Sequence, residues 1–228
     1  MNANKQVSLS EITSGILRAI PEAPAFVSGV RSMISAGPDK KMSIGLLLEK
    51  QARRHPAGAA LKFEDKVWSY AGFNGWVNRI AALYQKLGVA NGDVVAIMSE
   101  NRPQMLACTA AAAKLGAIAG MVNYNQRDEV LSHSLGLIKP KVMVVGDESV
   151  AAVEDTEYSP LKNQNVRHLW LGDDPALCPL GYEDLETQTR LMPSVNPEST
   201  KTILSQQPCF YIFTSGTTGT CSCRSISN

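Results

Sequence analysis

Apolar residues change their period several times along this chain, and each change marks an element. Between Ala71 and Leu87, the residues Phe73, Trp76, Val77, Ile80, Tyr84 and Leu87 recur at helical spacing, and Gly88 is placed to end the helix. Its aromatics are therefore expected to be core. The turn Asn91-Gly92-Asp93 opens an unbroken apolar run, Val94 to Met98, which suits a strand buried on both faces. Asn101-Arg102-Pro103 starts a helix through Lys114, Gly116 stops it, and Ala117 to Val122 returns as a strand. Strand, helix and strand in one short stretch imply a parallel crossover. A helix through Val130, Leu131, Ser134 and Leu135, then the strand Val142 to Val145, repeats the unit. The pattern predicts an α/β fold, a layered domain with a largely parallel sheet.

Flanking segments are less regular. In a lead segment, residues 1–42, Ser8 and Glu11 have capping-box spacing ahead of Ile12, Ile16, Leu17 and Ile20, and Pro21 and Pro24 break that helix. A second stretch, Phe26 to Ile34 with Arg31, suits a helix packed on its own domain or one lying on a membrane surface; the pattern leaves both open. Ser43 is placed to cap a helix through Leu46, Leu47, Leu48 and Ala52 that ends at Arg53-Arg54-His55-Pro56. Ala59 to Phe63 and Lys66 to Tyr70 read as a hairpin around Glu64-Asp65. Residues 147–164 read as helix and loop, Leu169-Trp170 as part of a strand, and 173–207, with Pro175, Pro179, Pro193 and Pro197, as mostly loop.

Composition narrows the function classes. The chain has 228 residues, 44% hydrophobic and 19% charged, enough to bury a sizeable core. Lysine and arginine total 22 against 21 acidic residues, so no strong field exists to gather nucleic acid, and none is expected as a partner. Five cysteines, an odd number, fit a reducing cytoplasmic compartment. Cys221 and Cys223 lack a partner pair or nearby histidine, so no metal site is expected there. No apolar run is long enough for a transmembrane span, and the N-terminus lacks the features of a secretory signal. His55, His133 and His168 have no evident catalytic partners and are expected to be structural.

The chemistry is concentrated near the C-terminus. Pro208 to Phe213 is a short apolar, aromatic strand that runs directly into Thr214-Ser215-Gly216-Thr217-Thr218-Gly219. The glycines let backbone N–H groups turn inward, and four hydroxyls add donors, so the loop can wrap the oxygens of a polyphosphate. It is not a Walker A loop, because only two residues separate Gly216 from Gly219 and no Lys-Ser/Thr pair follows. The bland alternative is a flexible linker, and the buried strand leading into the hexamer argues against it.

The run Tyr211-Ile212-Phe213-Thr214-Ser215-Gly216-Thr217-Thr218-Gly219 resembles the signature loop of the adenylate-forming (AMP-binding) superfamily of acyl-CoA synthetases, luciferases and peptide-synthetase adenylation domains. Trp68-Ser69-Tyr70, Leu87 to Ala96 and Asn101-Arg102-Pro103 look like that family in the expected order. Asn123-Tyr124-Asn125-Gln126-Arg127 is similar to the fatty-acid transport protein and very-long-chain acyl-CoA synthetase branch. The resemblance covers about residues 43–219, leaving 220–228 as a tail outside it. It implies the incomplete N-terminal part of the family's large domain. It also implies ATP with magnesium, CoA as co-substrate, a fatty acid as acyl donor, and phosphate contacts from Thr214, Ser215, Gly216, Thr217, Thr218 and Gly219. Peripheral membrane contact is compatible with it, and no catalytic residue or metal ligand is carried over.

The family continues past this loop with a small or apolar residue, commonly proline, and then a lysine that meets the phosphates. Here Gly219 is followed by Thr220-Cys221-Ser222-Cys223-Arg224; that lysine is absent, and Arg224 is the only nearby cation. The adenine pocket, the metal-binding and ribose-binding carboxylates and the mobile catalytic domain of the family lie downstream of this loop. The expectation is thus a truncated long-chain or very-long-chain fatty acyl-CoA synthetase, inactive as this chain, with an out-of-frame or mis-spliced tail. A sheet lacking neighbours, and exposed apolar surface, should follow. The alternatives are a non-catalytic nucleotide- or partner-binding module, or a fragment of an adenylating enzyme for another carboxylic acid.

Overall fold

The computed structural model describes residues 37–215 and 221–227, so the expected helices of the lead segment lie outside the described residues. Elements follow in the order α1 (Ile44–Arg54), β1 (Ala59–Phe63), β2 (Lys66–Ser69), α2 (Tyr70–Lys86), β3 (Val94–Met98), α3 (Pro103–Leu115), β4 (Ile118–Met121), α4 (Asp128–Ile138), β5 (Val142–Gly146), α5 (Val150–Glu154), β6 (Arg167–Leu171), β7 (Glu183–Asp184), α6 (Leu185–Arg190), β8 (Pro208–Ser215) and β9 (Cys221–Ser227). β1 and β2 form the expected hairpin. The other seven strands form one sheet in the order β7-β6-β5-β3-β4-β8-β9.

Every neighbouring pair from β7 to β8 is parallel, which is the predicted α/β architecture. β3 is flanked on both sides and is buried along its whole length, as its unbroken apolar run required. Alternate residues divide between two cores. Val95, Ile97, Val142, Val144, Leu169 and Leu171 face α2, α3 and α6, where Phe73, Val77, Ile80 and Tyr84 supply the helical stripe. Val94, Ala96, Met98, Met143, Val145 and Trp170 face α4 and α5, where Leu131, Leu135 and Val153 meet them. A sheet covered on both faces is the middle layer of a three-layer helix-sheet-helix stack.

Local chemistry ends the elements where the sequence placed the signals. Ser43 Oγ accepts from Leu46 N at 3.1 Å and starts α1, and Ser69 Oγ accepts from Gly72 N at 3.1 Å and starts α2. Pro103 opens α3, and Gly116 closes it in the left-handed region with φ 70°. The hairpin packs on α2 through Trp68 and Trp76, whose rings stack with centroids 6.2 Å apart. His168 is buried with its ring nitrogens 2.7 Å from Tyr158 O and 3.0 Å from Val166 O; burial lowers its pKa, and the neutral ring donates to one of these two carbonyls, as a structural core residue. Among the described residues no helix is long and apolar enough to cross a membrane.

The 173–207 stretch is mostly loop, as expected, and also holds the short elements β7 and α6, with Asp184 Oδ1 accepting from Thr187 N at 2.8 Å and Leu185 fully buried. A six-residue helix with one buried aliphatic carries no period to read. Against the expected lack of neighbours for the sheet, the loop strand is paired on both sides. β9 pairs antiparallel with β8 from Pro208↔Ser227 to Ser215↔Cys221. A ladder is made by backbone groups, so a Ser-rich stretch can complete it, and a polar sequence suits an outer strand.

Candidate phosphate-binding loop and its supports

β8 is held between β4 and β9. Ala119, Gly120 and Met121 of β4 pair with Phe210, Tyr211 and Ile212. Across the other edge, Ser215 pairs with Cys221, so residues 216–220 are a five-residue connection whose ends are brought to strand-pair distance. Thr214 and Ser215 are the last positions of β8. Gly216, Thr217, Thr218 and Gly219 lie outside the described residues. Because β8 is parallel to β4, Ser215 lies at the carboxyl edge of the strands, where open α/β sheets receive ligands. Ser222 pairs with Thr214 beside the loop, and Arg224 pairs with Ile212, two positions farther away. No lysine follows the loop.

The same edge carries a crevice of about 390 Å³ lined by Glu100, Arg102, Asp147, Glu148, Trp170 and Asp173, among others. Its polar groups are largely engaged with one another. Arg102 Nη2 meets Glu148 Oε2 at 2.8 Å and its Nη1 donates to Leu171 O at 3.2 Å. Glu100 N donates to Glu148 Oε1 at 2.5 Å, and Trp170 Nε1 donates to Asp147 Oδ1 at 3.2 Å. Arg102, which the sequence marked as part of a helix start and of a family-like segment, thus braces the ends of β3, β5 and β6. Among the described residues no group of three or more His, Cys, Asp or Glu side chains is gathered to hold a metal ion.

Sequence reasoning missed the main polar centre. Lys114, which only interrupted an apolar stretch, is fully buried in α3. Its ammonium donates to Asn78 Oδ1 at 2.6 Å, Asn74 Oδ1 at 2.7 Å, Asn196 Oδ1 at 3.0 Å and Glu49 Oε1 at 3.2 Å. Four oxygens surround three N–H donors, so the buried charge is compensated as burial demands. Desolvation nevertheless pulls its pKa down from 10.5 to about 8, against the opposing pull of Glu49. The sequence signal was a lysine inside an otherwise apolar and alanine-rich helix, a position where a charge is rarely left without partners. Its partners come from three other segments and could not be named without the fold. Nearby, burial raises the Cys108 thiol to about 12, and that of Cys209, in β8, to about 11, so neither is a poised nucleophile.

Residues 48–221 match the family of AMP-binding enzymes, and the chain belongs to that family. Among its relatives, the medium/long-chain-fatty-acid–CoA ligase FadD6 of Mycobacterium tuberculosis is 38% identical over 217 residues, covering 95% of this chain and 34% of that protein. Long-chain fatty acid transport protein 1 of Mus musculus is 34% identical over 186 residues, covering 78% of this chain and 28% of that protein. The chain therefore spans about a third of the length of the curated relatives it matches. Among solved structures, a Mycobacterium tuberculosis fatty acyl CoA synthetase superposes with a TM-score of 0.69 at 25% identity, covering 83% of this chain and 35% of that one. The N-terminal domain of FACL13 from the same organism gives 0.68 at 26% identity, covering 81% and 44%.

Proposed function

We propose that this chain is the phosphate-binding N-terminal part of an ATP-dependent fatty acyl-CoA ligase, and that residues 1–228 alone do not complete the reaction. The observation that carries this reading is the pairing of Ser215 with Cys221 at the carboxyl edge of a parallel sheet, at the two ends of the sequence Gly216-Thr217-Thr218-Gly219-Thr220, inside the stretch that matches the AMP-binding family. In that role Thr214, Ser215, Gly216, Thr217, Thr218 and Gly219 surround the oxygens of the triphosphate with backbone and hydroxyl donors, each worth ~1.5–3 kcal/mol to a charged group.

The chemistry this would serve is the activation of a carboxylate. A carboxylate lacks a leaving group that a thiol can displace, and ATP supplies AMP as one; CoA then accepts the acyl group. Magnesium would accompany the triphosphate, and no residue of this chain is assigned to hold it. The names of the relatives favour a fatty acid over another carboxylic acid. A cytoplasmic location with peripheral membrane contact fits that substrate. The absence of a lysine just after the loop argues against turnover, because adenylation depends on charge placed where it develops on the phosphates.

Two assays of the purified chain test this. Calorimetric titration should detect inorganic pyrophosphate binding, and replacing Thr217 and Thr218 together by alanine should weaken it at least tenfold; equal binding by both proteins would remove the phosphate role. Incubation with ATP, magnesium and a long-chain fatty acid should release no pyrophosphate above the no-acid control. Formation of acyl-adenylate would overturn the inactivity claim.

A further inference from the structure

β7 and β8 are consecutive strands of the chain, yet they stand five strand positions apart in the sheet, roughly 24 Å at ~4.8 Å per strand. Residues 191–207, after α6, have to cross that distance. Apolar burial holds this segment at its ends, where Met192 packs on the core and Ile203 is 3% exposed, and at Pro197, which is buried; between Met192 and Pro197, Val195 is 73% exposed. The middle is held by polar contacts to α2 and α3. Asn78 Nδ2 donates to Ser194 O at 2.9 Å. Asn196 Oδ1 accepts from Asn74 Nδ2 at 3.0 Å, Asn78 Nδ2 at 2.8 Å and Lys114 Nζ at 3.0 Å. Ser199 Oγ and Thr200 Oγ1 both donate to the main-chain oxygen of Lys114, each at 3.0 Å.

One residue thus grips the crossing segment twice, through its ammonium and through its carbonyl. That residue lies four positions before Ile118, where β4 begins, and β4 is the strand against which β8 pairs. We propose that Lys114 is the positioning residue of β8: it holds the crossing segment on α2 and α3, and that hold sets where β8 and the loop at its end come to rest against β4. The mechanical part stands on the contacts above. Its consequence for ligand binding rests on the phosphate-binding reading of the loop.

Asn196 offers a selective test. Its three side-chain bonds all end on Oδ1, and without it Lys114 keeps Glu49, Asn74 and Asn78, three acceptors for three donors. Asn196→Ala therefore releases the segment without stranding the charge, while Asn196→Asp keeps the accepting oxygen. Hydrogen exchange of the full chain, read by mass spectrometry, compares peptides from 197–213 with peptides from β3 and β5. Asn196→Ala should speed exchange in 197–213 at least tenfold and leave β3 and β5 unchanged, and Asn196→Asp should exchange like the parent; Lys114→Met, which also strands the buried Glu49, should speed exchange in 197–213 at least as much as Asn196→Ala. Uniform acceleration, no acceleration, or Asn196→Asp behaving like Asn196→Ala would overturn the proposal. The Asn196 pair decides even where Lys114→Met fails to fold.

Pyrophosphate titration of the same samples separates the two readings. Binding weakened about tenfold in Asn196→Ala supports the link between position and ligand, and unchanged binding in a released segment breaks it. Parent protein that binds no pyrophosphate at all removes the loop assignment while leaving the exchange result to stand.

Discussion

Gly45 of α1 lies so close to Lys114 of α3 that a methyl group on it would stand 2.7 Å from Lys114 Cγ and 3.0 Å from Lys114 Cα. One turn farther along the same helix face, Glu49 reaches the ammonium at 3.2 Å. The bare glycine allows the approach that makes the ion pair. Gly45→Ala should therefore destabilise the chain by about 1–2 kcal/mol, the cost of overpacking outweighing the gain in helix propensity. Urea denaturation would show a lower midpoint with an unchanged slope.

Lys114 and Glu49 are nearly closed to solvent, with side chains 0% and 6% exposed. Removing one partner strands a buried charge, so Glu49→Ala should cost about 3–5 kcal/mol. A pH series gives an independent check. The folded pKa of Lys114, about 8, lies below the 10.5 of an ordinary lysine. The unfolded chain therefore binds more protons between these values, and stability gains from this residue as pH rises through that window. Unfolding free energies at pH 7.5, 8.5 and 9.5 should rise more steeply in the parent than in Lys114→Met.

Gly116 turns the chain from α3 into β4 with φ 70°, and a Cβ there would meet Asn91 Oδ1 at 2.6 Å. Gly116→Ala should cost at least about 1–2 kcal/mol from the left-handed backbone alone. Thermal melting would register the loss, and Gly37→Ala, with no atom within 4 Å of the new methyl, serves as the control.

Cys108 and Cys209 are 0% and 1% exposed. Peptide mapping after treatment with iodoacetamide at pH 8 should find both unmodified in the folded chain and both modified in urea, whereas Cys178, half-buried, should react in the folded chain. Modification of Cys209 without denaturant would show that β8 separates from its neighbours.

Much of the frame was legible from periodicity. The apolar run Val94–Met98 could satisfy its side chains only between two covered faces, and the stripe from Phe73 to Tyr84 could only be a helix lying on one of them. The candidate loop was read on a different ground: its glycines and hydroxyls are contiguous in the sequence, a pattern that needs no tertiary contact to be seen. α6 was hidden because one buried leucine makes no pattern. β9 was hidden because strand pairing is written in backbone groups that every residue carries.

The sequence by itself determined the layers, the caps and the composition of the loop, since these depend on residues that are neighbours along the chain. Only the tertiary structure decided the strand order, the place of β9 at the edge of the sheet, and the partners of Lys114. Glu49, Asn74, Asn78 and Asn196 stand 65, 40, 36 and 82 residues from it. No local pattern links them; they converge because a buried ammonium must find oxygens wherever the packed helices and the crossing segment present them.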